Sequence, residues 1–218
     1  MIKGVVFDMD GVLVDTEALH FAAITEALEK YGISPNNEDI LKLAGTNYPK
    51  FIGKLVEIAG KKIDVNPIVK EAWENYYSFT GSVQALPGSE KLLDEVCRKL
   101  KIAVASGCPK KFILKILETA ELLHFFNQEY IAGIDEVNNP KPAPDIYLLA
   151  VKRLGLNPNE CVAIEDTSSG MTAAKDAGLY CIVVPTIFSN NQDFSRADLR
   201  VESLLDLNYD VLVNIDKK

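Results

Sequence analysis

Two aspartates near the start of the chain, Asp8 and Asp10, have the clearest potential for chemistry. They follow an apolar run over residues 2–7, interrupted by Lys3 and Gly4, that is typical of a buried strand. Residues i and i+2 of a strand face the same side, so both carboxylates can approach one point beyond its carboxyl end. Two close carboxylates repel each other unless a cation or a proton lies between them. The pair therefore predicts a Mg²⁺-dependent acid–base or nucleophile site.

Three further polar clusters lie beside predicted strands and helices. Ser106 and Gly107 follow one predicted strand, Lys141 precedes a predicted helix, and Glu165 and Asp166 follow another predicted strand. In a parallel sheet the carboxyl ends of the strands lie on one edge, where open α/β sheets bind ligands. The sequence therefore predicts that these residues meet Asp8 and Asp10 at a single site.

The elements that must position these residues alternate along the chain from Leu86 onward. Alternation of this kind predicts an α/β fold, a doubly wound (Rossmann-like) parallel sheet with helices on both faces. The predicted helices cover residues 89–100, 109–119, 143–154 and 168–177, and the predicted strands cover residues 102–105, 130–132, 161–164 and 181–184. Residues 216–218 are expected to form a loose tail.

The stretch between the first and second strands is too long for a simple crossover, which needs about a dozen residues and one helix. Its pattern is helical, with predicted helices over residues 17–31, 38–44, 49–59 and 67–79. We therefore expect an inserted all-helical domain over residues 16–83. The α/β core domain would consist of residues 1–15 and 84–218.

Composition limits the classes of partner. The 218 residues carry a formal net charge of −8, which argues against nucleic acid or an anionic membrane as a main partner. We find no run of eighteen apolar residues that would span a membrane, and the first strand leaves no room for a signal peptide. The four cysteines, Cys97, Cys108, Cys161 and Cys181, show no paired spacing. This pattern predicts reduced thiols in a cytoplasmic protein and disfavours zinc. Nothing in the sequence indicates an oligomeric state.

Four sequence blocks together resemble the haloacid dehalogenase superfamily, in its phosphatase and phosphomutase branch. They are FDMDGVLVDTE, VASG, NNPKPAPDIY and IEDTSSGMTAAKDAG, each beside the expected strand or helix. The resemblance covers essentially the whole chain. The helical insertion after the first block resembles the small cap of the beta-phosphoglucomutase-like group.

The resemblance implies a role for each clustered residue. Asp8 would be the nucleophile that forms an aspartyl-phosphate, and Asp10 the general acid and then the base. Lys141 would neutralise charge on the nucleophile and on the transferring group. The Ser106 hydroxyl and the amides near Met9 and Gly107 would bind phosphoryl oxygens.

The same resemblance implies one Mg²⁺ cofactor. The ion would be held by the Asp8 carboxylate, the Asp10 backbone carbonyl and Asp166. Glu165 would bind it directly or through water. Oxygen ligands together with several waters suit Mg²⁺.

Several of these residues have more than one interpretation. Thr16 could contact substrate or cap the helix that follows it, and Ser106 could likewise cap a helix. His20 could face the cleft between insertion and core and bind substrate, or it could be structural. Lys110 could touch substrate or lie exposed. The aromatic residues Trp73, Tyr76 and Tyr77 are expected to serve in packing.

The reaction expected first is Mg²⁺-dependent hydrolysis of a small phosphomonoester, a phosphorylated metabolite resembling a sugar phosphate. Asp10 favours phosphate esters because an alkoxide leaving group needs a proton. A sugar phosphate mutase is the alternative, but resembling mutases carry an arginine shortly after a loop glycine, and residues 44–50 contain none. Lys50 or Lys54 could substitute for it. A phosphoacceptor domain without enzymatic activity is the third reading.

Overall fold

The computed structural model describes residues 1–43 and 46–215. The predicted loose tail at 216–218 lies outside the described residues, as do Ala44, the last residue of the helix predicted over 38–44, and Gly45 after it. In chain order, the elements are β1 (Gly4–Phe7), α1 (Glu17–Glu29), α2 (Asn37–Leu43), α3 (Tyr48–Ile58), α4 (Asn66–Phe79), α5 (Ser89–Val96), β2 (Lys101–Ala105), α6 (Lys110–Thr119), β3 (Ile131–Ala132), α7 (Asp145–Leu154), β4 (Cys161–Glu165), α8 (Ser168–Asp176), β5 (Tyr180–Val183), β6 (Leu199–Arg200) and α9 (Tyr209–Val213).

The six strands form one sheet in the order β3-β2-β1-β4-β5-β6. Every strand pair is parallel, so all the carboxyl ends lie on one edge. The strand order reverses between β1 and β4, which makes their carboxyl ends the switch point where such sheets bind ligands. The prediction of a doubly wound parallel sheet is confirmed.

Strands β1 and β4, at the centre of the sheet, are buried on both faces because helices cover each face. Successive residues of a strand point to opposite faces. Val5 and Phe7 of β1 pack in one apolar cluster, while Val6 between them packs in the other. This burial explains why the strands read as continuous apolar runs rather than as an alternation of apolar and polar residues.

Helices α1 to α4 form the helical insertion, which joins the sheet through two adjacent chain segments. The backbone amide of Asp15 donates to the carbonyl of Gln84 at 3.0 Å, and that of Leu86 donates to Leu13 at 3.0 Å. The insertion also has an apolar cluster of its own, which includes Leu28, Ile52 and Ile68. The boundaries at residues 16 and 83 stay a prediction, which these contacts support.

Two short elements near the end of the chain have no counterpart in the predictions. Strand β6 contains two residues and helix α9 contains five. Periodicity needs a longer window than either offers, so apolar patterning cannot identify them.

The longest helices, α4 and α1, contain 14 and 13 residues. Across residues 1–43 and 46–215, no helix has the length and apolar character that crossing a membrane requires.

Candidate active site

The pairing of β1 with β4 places Asp8 beside Glu165. Phe7 is in register with Ile164, and the backbone amide of Asp8 donates to the Ile164 carbonyl at 2.9 Å. Asp8 directly follows β1, and Glu165 is the last residue of β4. Two acidic side chains that lie 157 positions apart in the sequence therefore meet at the switch point of the sheet.

Lys141 joins these two carboxylates. Its ammonium group donates to Asp8 Oδ1 at 3.0 Å and to Glu165 Oε1 at 2.6 Å. The Tyr147 hydroxyl also donates to Glu165 Oε1, at 2.5 Å, and the Lys141 ammonium lies 5.1 Å from the centre of the Tyr147 ring. Glu165 is fully buried, so its carboxylate oxygens need hydrogen-bond partners inside the protein.

The pKa of Asp8 is raised to about 8. Burial is the largest cause, Lys141 opposes the rise, and the nearby charges of Glu165 and Asp10 add to it. Burial also lowers the pKa of Lys141, but Asp8 and Glu165 outweigh that effect and raise it. Burial, together with Asp8 and Glu165, raises the pKa of Asp166 well above its usual value. The site therefore holds more carboxylates than one lysine can neutralise.

A divalent cation fits this excess of negative charge. One oxygen from each of Asp8, Glu165 and Asp166 lies within 4.8 Å of the other two. Asp166 Oδ1 is buried and has no hydrogen-bond partner in the described part of the chain, although such atoms are normally paired. Gly11 keeps the space open, because a Cβ there would lie 2.5 Å from Asp166 Oδ2. A donor set of carboxylate oxygens is the kind that Mg²⁺ prefers.

Three donors converge on one oxygen of Asp10. Its Oδ1 accepts from the Thr16 hydroxyl at 2.5 Å and from the Tyr76 hydroxyl at 3.0 Å, and it lies 3.1 Å from His20 Nε2. Burial by itself raises the pKa of Asp10. The charge of His20 and the hydrogen bonds from His20, Thr16 and Tyr76 together outweigh burial and hold the pKa below its usual range.

The other oxygen of Asp10 faces the loop after β2. Asp10 Oδ2 accepts from the Ser106 hydroxyl at 3.2 Å and from the Cys108 thiol at 3.3 Å. Burial raises the pKa of Cys108 well above its usual value, and the charge of Asp10 adds to the rise. Cys108 is therefore an unreactive thiol that donates to Asp10.

The two capping alternatives and the packing role of Tyr76 need correction. Thr16 stands at the start of α1, but its side chain makes no capping hydrogen bond and is buried against Asp10 instead. Ser106 does not cap α6, since the residue before that helix is Pro109; the Ser106 hydroxyl accepts from the Cys108 amide. Tyr76 packs through its ring, as expected, but its hydroxyl binds Asp10.

Of the three remaining residues that were predicted to bind substrate, two line a cavity and one does not. His20 and Gly107 line a cavity above Asp8 and Asp10. Lys110 does not line that cavity: its backbone amide donates to Asp135 at 2.8 Å, and its ammonium lies 3.8 Å from Glu136. The structure thus brings nine of the ten predicted site residues to one place and leaves Lys110 outside.

Sequence reasoning missed Tyr76 and Tyr147 as polar partners. Tyr76 lies in a helical pattern, where an aromatic residue most often serves in packing. Tyr147 lies within the block NNPKPAPDIY, which was the only signal for it. Their hydroxyls reach Asp10 and Glu165 only through the tertiary packing.

Gly170 of α8 supports the Glu165 carboxylate by leaving it room. A Cβ at Gly170 would lie 1.8 Å from Glu165 Oε1, so Gly170→Ala must displace the carboxylate that Lys141 and Tyr147 bind. We expect a loss of about 1–3 kcal/mol in the free energy of unfolding by urea. Gly53→Ala is the control, because its Cβ would meet no heavy atom within 4 Å and helix α3 should gain about 0.5–1 kcal/mol. Equal urea concentrations at the midpoint of unfolding for Gly170→Ala and the wild type would contradict this role.

Comparison with known proteins identifies the family. The profile of the haloacid dehalogenase-like hydrolases matches residues 5–184. The phosphorylated carbohydrates phosphatase of Thermotoga maritima is 34% identical over 82% of this chain and 82% of its own length. The fructose-1-phosphate phosphatase YqaB of Escherichia coli is 31% identical over 83% of this chain and 95% of its own. The crystal structure of CbbY from Rhodobacter sphaeroides in complex with phosphate superposes with a TM-score of 0.87 at 28% identity, covering 98% of this chain and all of CbbY. The chain therefore belongs to the haloacid dehalogenase-like hydrolases and is a phosphatase of that family, as its motifs predict.

Proposed function

We propose that this phosphatase hydrolyses small phosphomonoesters, such as sugar phosphates, with Mg²⁺ bound and through a phosphoryl group carried briefly by Asp8. The observation that carries the proposal is the Lys141 ammonium, which lies between Asp8 and Glu165. The cavity above this cluster supports it, as do the carbohydrate phosphatase relative and the phosphate complex of CbbY.

In the first half of the reaction, a carboxylate oxygen of Asp8 attacks phosphorus and the ester P–O bond breaks. The leaving oxygen takes a proton from Asp10, a role that contributes about 10²–10⁴-fold in rate. Asp10 is held ionised in the free enzyme, but the negative charge of a bound phosphate raises the pKa of a neighbouring carboxyl. Substrate would therefore help to protonate it.

In the second half, water attacks phosphorus, Asp10 takes the proton from that water, and the Asp8–phosphorus bond breaks. This leaves free phosphate and restores the Asp8 carboxylate. The hydrogen bonds from Thr16, His20 and Tyr76 stabilise the ionised form of Asp10, which suits it to act as the base.

Mg²⁺ would be held by the carboxylates of Asp8 and Asp166 and by the Asp10 backbone carbonyl, with Glu165 binding it directly or through water. It would supply positive charge against the phosphoryl oxygens, which is the main need of phosphoryl transfer. Lys141 supplies the second positive charge and fixes the orientation of Asp8.

The Ser106 hydroxyl and the backbone at Gly107 are the proposed ligands of the phosphoryl oxygens. Thr16 and His20 are proposed to act on substrate through Asp10, which both contact. Lys110 has the least support, because it lies outside the cavity. We also propose a cytoplasmic location, which the four free cysteines support.

Metal removal tests this proposal. We expect EDTA to abolish phosphate release from para-nitrophenyl phosphate and from glucose 6-phosphate, and excess Mg²⁺ to restore it, since one lysine cannot balance the acidic cluster. Phosphate is measured directly, and sugar phosphates are followed separately by chromatography.

Three results would speak against hydrolysis with Mg²⁺. Activity that resists the chelator would count against the metal site. Conversion of a sugar 1-phosphate to its 6-phosphate without phosphate release would instead support the mutase alternative. A stable phosphoryl group on Asp8 without turnover would support the phosphoacceptor reading.

A further inference from the structure

The cavity above Asp8 has two chemically different ends. Its volume is about 300 Å³, which suits a small ligand. The end at the sheet edge carries Asp8, Asp10 and Lys141. A further carboxylate, Glu17 at the start of α1, also lines the cavity, and its Oε1 accepts from the Thr186 hydroxyl at 2.9 Å. The opposite end is formed by the helical insertion, and its wall is apolar: Phe21 and Ile24 of α1, Phe51 of α3, and Val69 and Trp73 of α4. We call these five residues the apolar wall.

The polar side chains beside the apolar wall already hold partners. Tyr48 Oη lies 2.7 Å from His20 Nδ1, and the Thr46 hydroxyl donates to the Leu43 carbonyl at 2.8 Å. Asn47 Oδ1 accepts from the Lys50 amide at 3.1 Å. Several buried hydroxyl groups of a ligand would compete for few partners here, and an unpaired buried hydroxyl is unfavourable.

Among the described side chains, no second lysine or arginine lines this cavity. Lys141 is the one lysine or arginine among the described residues that line it, and Asp8 and Glu165 already bind it. Lys50 and Lys54 of α3, the candidates to replace the arginine of a mutase, are both exposed. The Lys54 ammonium contacts Glu57 at 2.7 Å. A second phosphate group would therefore be buried against apolar surface without a counter-charge.

The rings of the insertion support one another. Tyr48 and Trp73 stack with centroids 4.2 Å apart, and Phe21 and Phe51 lie 6.1 Å apart. Such packing limits the movement that would be needed to admit a polar group to the wall.

From these features we infer that the preferred substrates carry one phosphate only, on an alcohol whose ring is apolar and poor in hydroxyl groups. This inference rests on the proposed hydrolysis and, among small phosphomonoesters, ranks esters of hydroxyl-poor alcohols above sugar phosphates. The phosphate binds at the sheet edge, and the ring of the alcohol packs on the apolar wall.

A matched pair of esters tests the preference. Cyclohexylmethyl phosphate and glucose 6-phosphate both join a six-membered ring to phosphate through one CH₂–O group, and they differ by four hydroxyls and the ring oxygen. We expect kcat/KM to be about tenfold or more higher for cyclohexylmethyl phosphate, within the range by which apolar pockets discriminate against added hydroxyls. A ratio below tenfold overturns the inference but leaves hydrolysis intact. No phosphate release from any ester with Mg²⁺ present overturns both.

A charge placed in the apolar wall tests the inference that the preferred substrates carry only one phosphate. Val69→Lys adds a cation there, and Val69→Met adds similar length without charge. The quantity measured is kcat/KM for glucose 1,6-bisphosphate divided by kcat/KM for glucose 6-phosphate. We expect Val69→Lys to raise this ratio by about tenfold or more, which is the gain of a charge-assisted hydrogen bond. We expect Val69→Met to leave the ratio unchanged. The ratio does not depend on the fraction of enzyme that folds. An unchanged ratio in Val69→Lys, or an equal gain in Val69→Met, overturns the inference.

Discussion

Asp8→Asn should lower phosphate release by at least about 10⁴-fold, the scale on which loss of a covalent nucleophile acts. The amide has nearly the shape of the carboxylate and can still accept the hydrogen bond from Lys141, but it cannot attack phosphorus. The fold should survive, because the change removes one of several crowded negative charges. Phosphate release and urea unfolding of the same preparation measure the two effects.

Asp15→Asn provides the matched control for this experiment. It makes the same chemical change in the same loop, at an exposed side chain. Activity close to that of the wild type is expected for the control. If Asp8→Asn retained a rate within tenfold of the wild type, Asp8 would not be the nucleophile.

Lys141→Met should impair both activity and stability. The substitution keeps much of the length of the side chain but leaves Asp8 and Glu165 without their shared cation. We expect activity to fall on the order of 10³-fold, as for loss of a group that stabilises transition-state charge. Removing one partner of a buried ion pair should cost about 3–5 kcal/mol in the free energy of unfolding at neutral pH.

The stability of Lys141→Met should also depend on pH in a definite direction. Asp8 and Asp166 have pKa values above those of an unfolded chain, so the folded state binds more protons than the unfolded state. Stability then falls as pH rises between the unfolded and the folded pKa values, and without Lys141 this fall should be steeper. Urea unfolding in EDTA at pH 5 and pH 8 should show the smaller loss at pH 5.

Lys115→Met controls for removal of a lysine. Lys115 is exposed on α6, where its ammonium contacts Glu118 at 3.1 Å, so its loss should cost little. If the stability loss in Lys141→Met were the same at both pH values, repulsion among the acids would not be its cause.

The polar residues at the strand ends could be predicted because they directly follow apolar runs in the sequence. Asp8 and Asp10 directly follow β1, and Glu165 and Asp166 stand at the end of β4. Apolar runs identify buried strands, and a parallel sheet gathers all carboxyl ends at one edge, so proximity follows from order along the chain. The contact between Lys141 and Asp8, 133 positions apart, was foreseen on this basis together with the family resemblance.

The environment of Asp10 could not be predicted in this way. Thr16 and Tyr76 both donate to Asp10, and Tyr76 lies 66 positions away on a helix of the insertion. The spacing of an aromatic residue on a helix indicates a buried ring, but it does not say what the hydroxyl at the edge of that ring meets. The contact between the ammonium of Lys110 and the carboxylate of Glu136 could not be predicted either, because it too depends on tertiary packing. Lys110 therefore lies outside the cavity.

By itself, the sequence determined the sheet, the acidic pairs at its edge and the family, because periodicity and short motifs depend on neighbours along the chain. The tertiary structure alone decided which side chains set the charge of Asp10 and what kind of surface faces the phosphate. Both depend on how the insertion packs over the sheet, where side chains such as Tyr76 and Val69 reach the site only once the two layers are in contact.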